Sequence, residues 1–213
     1  MKARLSLVLL SIVPSIGFSQ LVLTNTLTPE QLVQNVLLGS GVTVSNVTFN
    51  GAPATTISVQ AMEFDGSTCN VGMNGGVLLC SGDANMAIGP NNSSGMTLPG
   101  GGLGLGGDPD LTQLLNTGGG AYTTNDAAVL EFDFIPNGDT LRFNYVFGSE
   151  EYLEWVGSSF NDVFGFFLSG PGIAGPYSGG AANIAIVPGT VSTPVTIDNV
   201  NDVTNSAYYV ING

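Results

Sequence analysis

The stretch AAVLEFDFIPNGDTLRFNYVF, residues 127–147, indicates the fold class of this chain. In its first half, Leu130, Phe132 and Phe134 alternate with Glu131 and Asp133. Successive side chains of a strand point to opposite faces, so this alternation is typical of a strand with one face in a core and one in water. The pattern predicts a strand over residues 127–135.

The second half of the stretch predicts that this strand continues into a β-hairpin. Residues 136–139 (PNGD) are a strong turn signal, and the alternation then resumes at Leu141, Phe143, Tyr145 and Phe147. A two-residue turn at the centre sets Phe132 opposite Phe143, so that the apolar faces agree. The same register sets Asp133 opposite Arg142, which predicts a structural role for Arg142.

The rest of the chain favours an all-β fold. The sequence contains 31 glycines, and with many Asn, Ser and Thr these indicate frequent turns between short strands. Residues 163–168 (VFGFFL) are apolar on both faces, as in a covered central strand, and residues 183–187 and 195–200 predict two more strands. We predict an antiparallel, jelly-roll-like β-sandwich with one or two short helices near the N-terminus.

Two segments carry helix signals. Thr28 followed by Pro29 is an N-cap with proline in the first turn, and Gly39 ends the apolar pattern that follows. A second helix is predicted over residues 108–115, before the glycines that begin at Gly118. These glycines do not form a P-loop, because no lysine follows them.

The N-terminus predicts export. Lys2 and Arg4 precede a short apolar run, and small residues stand just before Gln20. This is the pattern of a signal peptide over residues 1–19, and its apolar run is shorter than the roughly 20 residues that cross a bilayer. We expect one domain over residues 20–213, secreted or displayed at the cell surface, with no membrane-spanning segment after cleavage.

The predicted mature segment is strongly acidic. The sequence has 3 Lys and Arg, 16 Asp and Glu and no His, so loss of Lys2 and Arg4 leaves a net charge of −15 (1 − 16). Such a chain does not neutralise phosphates, which excludes nucleic acid and anionic membranes as partners. The charge suits a surface that collects divalent cations, or simply an extracellular protein with few lysines.

The cysteine content predicts one disulfide. Cys69 and Cys80 are the only cysteines of the chain. In an exported protein such a pair most simply forms a disulfide that closes a small loop. A zinc site is not indicated, since zinc favours four ligands and the chain has no His.

The segment GSEEYLEWVGSSFND, residues 148–162, carries most of the candidate ligands. The predicted hairpin brings Asp126 to the same end of the sheet. Crowded carboxylates without basic neighbours repel one another, so they either hold protons or bind a cation. Calcium accepts carboxylate, amide and carbonyl oxygens and is the expected ion. The predicted calcium ligands are Asp126, Glu150, Glu151, Asn161 and Asp162.

Two other interpretations of this segment stay open. In one, the side chains extend into solvent as an acidic rim. In the other, two of Glu150, Glu151 and Glu154 serve a glycosidase as acid and nucleophile. Adjacent strand residues point to opposite faces and the chain lacks His, so we predict no enzyme. Tyr152 and Trp155 are candidates for stacking on sugar rings, with packing in the core as the competing interpretation.

Several motifs are distributed along the chain after Gln20: GGVLLCSG (75–82), DAAVLEFDF (126–134), YVFGSEEY (145–152), NDVFGFFLSGPG (161–172), NIAIVPGT (183–190) and NVN (199–201). Together they resemble the choice-of-anchor L family. That family comprises exported bacterial surface domains with variable C-terminal anchors, including the sorting tails of type nine secretion. The resemblance implies a surface location without a defined molecular activity, and no catalytic residue is carried over.

The resemblance also implies a longer domain. Similar proteins continue past the equivalent of Tyr209, so we expect a C-terminally truncated domain, followed by further modules or an anchor in the full-length protein, or else a natural short form. We predict a calcium-stabilised, secreted or cell-surface module with an adhesion or surface-recognition role, which binds a glycan or a surface protein. The alternative is a carbohydrate-active enzyme domain or its accessory carbohydrate-binding module.

Overall fold

Antiparallel strands dominate the structure, a computed structural model that describes residues 20–39, 41–93, 95–96 and 102–211. The predicted signal peptide over residues 1–19 lies outside these ranges. The strands of the described residues are β1 (Val22–Thr24), β2 (Thr43–Phe49), β3 (Ala52–Pro53), β4 (Ala61–Asp65), β5 (Gly75–Leu79), β6 (Leu130–Ile135), β7 (Val163–Phe164), β8 (Phe167–Leu168), β9 (Ala182–Asn183) and β10 (Val195–Thr196).

The strands form small antiparallel sheets. Two have three strands, in the orders β1-β4-β5 and β3-β2-β6, and two are the pairs β10-β7 and β8-β9. With few helices beside them, this confirms the all-β character. The sheets are not closed against one another, so the jelly-roll-like sandwich stays a prediction.

Both predicted helices are present. Helix α1 (Pro29–Leu32) begins with a capping box, in which Thr28 and Gln31 exchange hydrogen bonds, and continues as a wider π-helical turn (Val33–Leu37). Helix α2 (Pro109–Leu115) is capped by Asp108. Short 3₁₀ turns span Ala84–Ile88, Ser178–Gly180 and Ser206–Tyr208. Within the described ranges, no helix has the length and apolar composition to cross a membrane.

The core lies where α1 meets both three-stranded sheets. Leu32 of α1 is fully buried and packs with Phe49 of β2, with Ala54 just after β3 and with Ala61 of β4. Partly buried apolar side chains of β5 and β6 complete the cluster, among them Val77 and Leu130. The helix therefore joins the two sheets through burial of apolar surface.

Strand β6 confirms the alternation that the sequence predicts. Leu130, Phe132 and Phe134 are half-buried, whereas Glu131 and Asp133 are exposed. Its partner strand is β2, which contains a bulge between Ser45 and Thr48. At the bulge Asn46 adopts a positive φ of 53° and its amide donates to Asp133 Oδ2 at 2.6 Å.

The predicted hairpin is wrong. Residues 141–147 form no strand, and β6 is the edge of its sheet in the described part of the chain. The apolar faces still meet, because Phe132 and Leu141 line the same small cleft. However, the Phe143 ring packs against Phe166 with ring centroids 4.0 Å apart, and Asp133 bonds to β2 rather than to Arg142.

The turn between β2 and β3 is a two-residue hairpin that was not among the predictions from the sequence. Asn50 and Gly51 both have positive φ, 50° and 73°, as a type I′ turn requires. Phe49 pairs with Ala52 across it. The Asn-Gly signal is therefore used here rather than at residues 137–138.

The predicted disulfide is absent, since Cys69 and Cys80 are both free thiols. The residues between them fold into the β4–β5 hairpin. Cys80 N donates to Gln60 O at one end of β4, whereas Cys69 N donates to Gly66 O beyond the other end. Roughly 14 Å of paired strand separates these ends. A disulfide requires Cα atoms within about 7 Å of each other.

A buried glutamine connects the two three-stranded sheets. Gln60, which is 1% exposed, precedes β4 and donates from Nε2 to Asp126 O at 2.9 Å. Its Oε1 accepts from Asn50 Nδ2 at 2.9 Å. Asn50 in turn accepts from Val129 N at 2.8 Å, just before β6. One side chain thus holds β4, the β2–β3 turn and the approach to β6.

We expect Gln60→Ala to lower the free energy of unfolding by about 3 kcal/mol, because it leaves buried polar groups unpaired and opens a cavity. Urea denaturation followed by fluorescence measures the change. Gln34→Ala is the matched control, because Gln34 lies in the π-helical turn after α1 and its side chain bonds only weakly to Glu30, at 3.4 Å. Equal effects of the two variants would contradict the importance of the buried network.

Candidate functional site

Three of the predicted ligands lie together. Ser149 connects two of them: its Oγ donates to Asp162 Oδ2 at 2.8 Å and accepts from Glu151 N at 3.0 Å. The charge of Glu150 acts on both Glu151 and Asp162. Ser149 was missed by the sequence analysis, because nothing in its spacing distinguishes it from other serines. We call Glu150, Glu151 and Asp162 the acidic cluster.

Burial sets the protonation of the acidic cluster. Burial, and then the negative charges of Asp162 and Glu150, raises the pKa of Glu151 to about 7. Burial also raises the pKa of Asp162, partly opposed by the hydrogen bond from Ser149. Glu151 Oε2 is buried without a hydrogen-bond partner among the described residues. This oxygen therefore requires a proton or a cation near neutral pH.

Residues 150–160 form a loop that begins with Glu150 and Glu151 of the acidic cluster and ends just before Asp162. This loop contacts the segment after β10. Tyr152 OH donates to Val200 O at 2.5 Å, and Gly157 N donates to Asp198 Oδ1 at 2.6 Å. Asp198 N donates back to Asn161 Oδ1 at 3.3 Å. Asp198, like Ser149, was not predicted from the sequence, since its role depends on contacts distant in sequence.

The two candidate stacking residues differ in their surroundings. Tyr152 packs against Tyr209, with ring centroids 5.1 Å apart, and is used internally. Trp155 meets Phe160 edge to face at 5.1 Å. Phe160 is 54% exposed and Leu153 is also exposed. The loop therefore presents Phe160 and Leu153 to solvent, rather than the predicted Tyr152.

The other two predicted ligands make different contacts. Asp126 is buried with a positive φ of 49°, and its Oδ1 accepts from Leu105 N at 2.7 Å. Its expected place beside Glu150 depended on the hairpin that does not form. Asn161 uses its side-chain oxygen to accept from Asp198 N. In the part of the chain that the structure describes, no three Asp, Glu or Cys side chains stand ready to hold a metal ion.

Two clefts lie outside the acidic cluster. An apolar cleft of about 200 Å³ lies against β6 and is lined by Leu38, Val42, Phe132, Phe134, Leu141 and Phe143, among others. A shallow, open groove of about 480 Å³ lies along α2, lined by Asp108, Thr112, Gln113, Asn116, Thr123 and Thr124, with Gly107 and Pro109. Neither cleft contains Glu150, Glu151 or Glu154.

Comparison with known families gives a match over almost the whole domain. The model of the choice-of-anchor L domain matches residues 21–212. The chain belongs to the choice-of-anchor L family. This confirms the resemblance carried by the sequence motifs. No curated protein and no solved structure matches the chain.

Membership in the choice-of-anchor L family fixes the broad class of the protein. The family groups surface-associated, exported domains and is not an enzyme family. The choice-of-anchor L domain here is acidic and mostly strands. Three features are candidate ligand-binding sites: the acidic cluster, loop 150–160 and the groove along α2.

The raised pKa of Glu151 makes stability depend on pH. The folded protein holds this proton up to about pH 7, whereas the unfolded chain releases it near its ordinary value of 4.5. The folded state therefore binds more protons between these values, and stability falls as the pH rises through them. In a buffer with a chelator, we expect the melting temperature to fall between pH 5 and pH 8, and Glu151→Gln to reduce this dependence.

Glu154→Gln is the matched control, because Glu154 is exposed on the same loop. It should leave the pH dependence of melting unchanged. A Glu151→Gln protein that melts with the same pH dependence as the parent would show that Glu151 releases its proton normally.

Proposed function

We propose that this domain is a surface-recognition module with an adhesive role, in which calcium bound at the acidic cluster stabilises the loop that contacts the partner. The observation that carries the proposal is the buried, unpartnered Glu151 Oε2 at the base of that loop. Family membership supports the location at the surface. The partner class is a glycan or a surface protein.

Calcium fits the chemistry of the acidic cluster. A buried carboxylate beside two others needs a positive charge, and Arg142 is the only basic residue after Arg4. Calcium takes six to eight oxygens and accepts backbone carbonyls and water besides carboxylates. Glu151 and Asp162, which Ser149 connects, would supply the carboxylate oxygens, and oxygens of the backbone and of water would complete the coordination.

The loop supplies the contact surface. Exposed apolar side chains rimmed by polar groups are typical of interaction sites. Phe160 and Leu153 are exposed apolar residues, with Glu154 exposed between them in sequence. Because Glu151 begins this loop and Asp162 follows it, a cation at the cluster holds both ends.

The carbohydrate-active enzyme is not favoured. A glycosidase places two carboxylates about 5 to 10 Å apart in an open cleft. The two clefts described above contain neither Glu150 nor Glu151, although the pKa of Glu151, about 7, would suit a general acid. We therefore assign these carboxylates to cation binding rather than to acid catalysis.

Calcium should raise the melting temperature of the protein at pH 8. Binding to the folded state alone, at one hundred times the dissociation constant, adds about 2.7 kcal/mol of stability. Glu151→Gln and Asp162→Asn should lose this shift. Asp126→Asn should keep it, because Asp126 contacts Leu105. Calorimetric titration and thermal melting measure the two effects, and the same shift in all three variants would contradict the assignment.

Beads coated with the protein should adhere to a surface of its partner class in calcium and detach in chelator. Suitable surfaces carry neutral polysaccharide, anionic polysaccharide or collagen, and retention is counted under flow. Phe160→Ser should reduce retention, because it removes the exposed ring. Val22→Ser on β1 is the matched control, since Val22 is similarly exposed, at 56%. Absence of retention on every surface would overturn the adhesive role.

A further inference from the structure

We propose that the groove along α2 binds a neutral glycan. A neutral glycan would then be the ligand class of the proposed recognition function, on which this inference rests. The groove is shallow and open to solvent, with a volume of about 480 Å³. It is separate from the acidic cluster and from loop 150–160, which do not line it. This surface differs from the one predicted from the sequence, in which Tyr152 and Trp155 are the candidates for stacking on sugar rings.

The lining of the groove combines apolar surface with polar groups that suit a polyhydroxylated, uncharged ligand. Carboxylate, amide and hydroxyl groups line it, contributed by Asp108, Gln113, Asn116, Thr112, Thr123 and Thr124, and none of its lining residues is basic. Sugar hydroxyls both donate and accept hydrogen bonds, as amides and hydroxyls do. An anionic ligand would meet Asp108 and the negative charge of the whole chain without a compensating cation.

The floor of the groove is held in place before any ligand arrives. The hydroxyls of Thr112 and Thr124 are 2.6 Å apart, and Asp108 N donates to Thr124 Oγ1 at 3.0 Å. Asn116 is fixed on both sides by Tyr122, donating to its carbonyl at 2.9 Å and accepting from its N–H at 2.7 Å. Such fixed polar groups lose little conformational entropy on binding.

Glycine makes the close approach of the groove's two walls feasible. A Cβ at Gly107 would lie 2.0 Å from Thr124 O, so only glycine allows these two chain segments to meet. Next to them, Gly106 pairs with Asn125. Residues 106–107 and 124–125 are therefore held close together beside the groove.

Hydrogen-bonding capacity remains on the open side of the groove. Asp108 Oδ1 accepts from Leu111 N at 2.8 Å, and its second carboxylate oxygen accepts from no described residue. Gln113 is exposed and uses Nε2 to bond Pro176 O at 3.1 Å, which leaves its carbonyl oxygen for a ligand. Thr123 is also exposed. These groups form the binding face.

The test is an array of immobilised oligosaccharides probed with the full chain. It carries neutral hexamers of glucose, xylose and mannose, and hexagalacturonate as the anionic comparison. We expect binding to at least one neutral hexamer and none to hexagalacturonate. Calorimetry with that hexamer should show affinity reduced at least tenfold by Gln113→Ala and by Asp108→Asn. Asparagine is also a good N-cap, so Asp108→Asn keeps α2 while replacing an acceptor by a donor.

Gln34→Ala is the matched control and should bind as the parent does. No binding to any neutral hexamer, or equal affinity in both groove variants, would overturn the groove as the site. Loss of binding in Phe160→Ser alone would assign recognition to loop 150–160 and also overturn it. Beads that still adhere to collagen would then leave the surface-recognition function standing, so the two failures are distinguishable.

Discussion

The buried amide of Gln60 is the interaction on which the arrangement of the sheets depends. The side-chain oxygen of Gln60 accepts from Asn50, and its side-chain nitrogen donates to the backbone carbonyl of Asp126. The backbone carbonyl of Gln60 accepts from Cys80 N. These contacts connect segments far apart in sequence, whereas the apolar cluster around Leu32 supplies non-directional stabilisation. A buried amide costs free energy unless it is fully bonded, so the network specifies one relative placement of the two sheets.

Negative charge dominates the electrostatics of this chain. With almost no basic residues, the chain cannot neutralise its buried carboxylates by internal ion pairs. Ser149 offers Asp162 a hydrogen bond, but Glu151 Oε2 has no equivalent donor among the described residues. The same composition underlies both proposed ligands: a cation at the acidic cluster, and an uncharged glycan at the groove along α2.

Local sequence signals predicted local structure well. The cap at Thr28, the helix over residues 108–115 and the alternation in β6 depend on neighbouring residues only, and all three are confirmed. Strand pairing and the cysteines failed for a common reason. An Asn-Gly pair is an equal turn signal at residues 50–51 and 137–138, and a spacing of cysteines does not reveal a hairpin between them. Which strand β6 joins depends on β2, far earlier in the chain.

The candidate site shows the same division between local and distant information. Glu150, Glu151 and Asp162 come from a single short segment and influence one another electrostatically in the structure, whereas their role as calcium ligands stays a prediction. Asp126 was predicted to join them only through the register of the hairpin. Because that hairpin does not form, the basis for placing Asp126 there is lost. Asp198 and the groove along α2 were not predicted, because their contacts join segments that no periodic pattern relates. The proposed recognition surfaces therefore lie on loops and a short helix outside the sheets, where sequence periodicity carries least information.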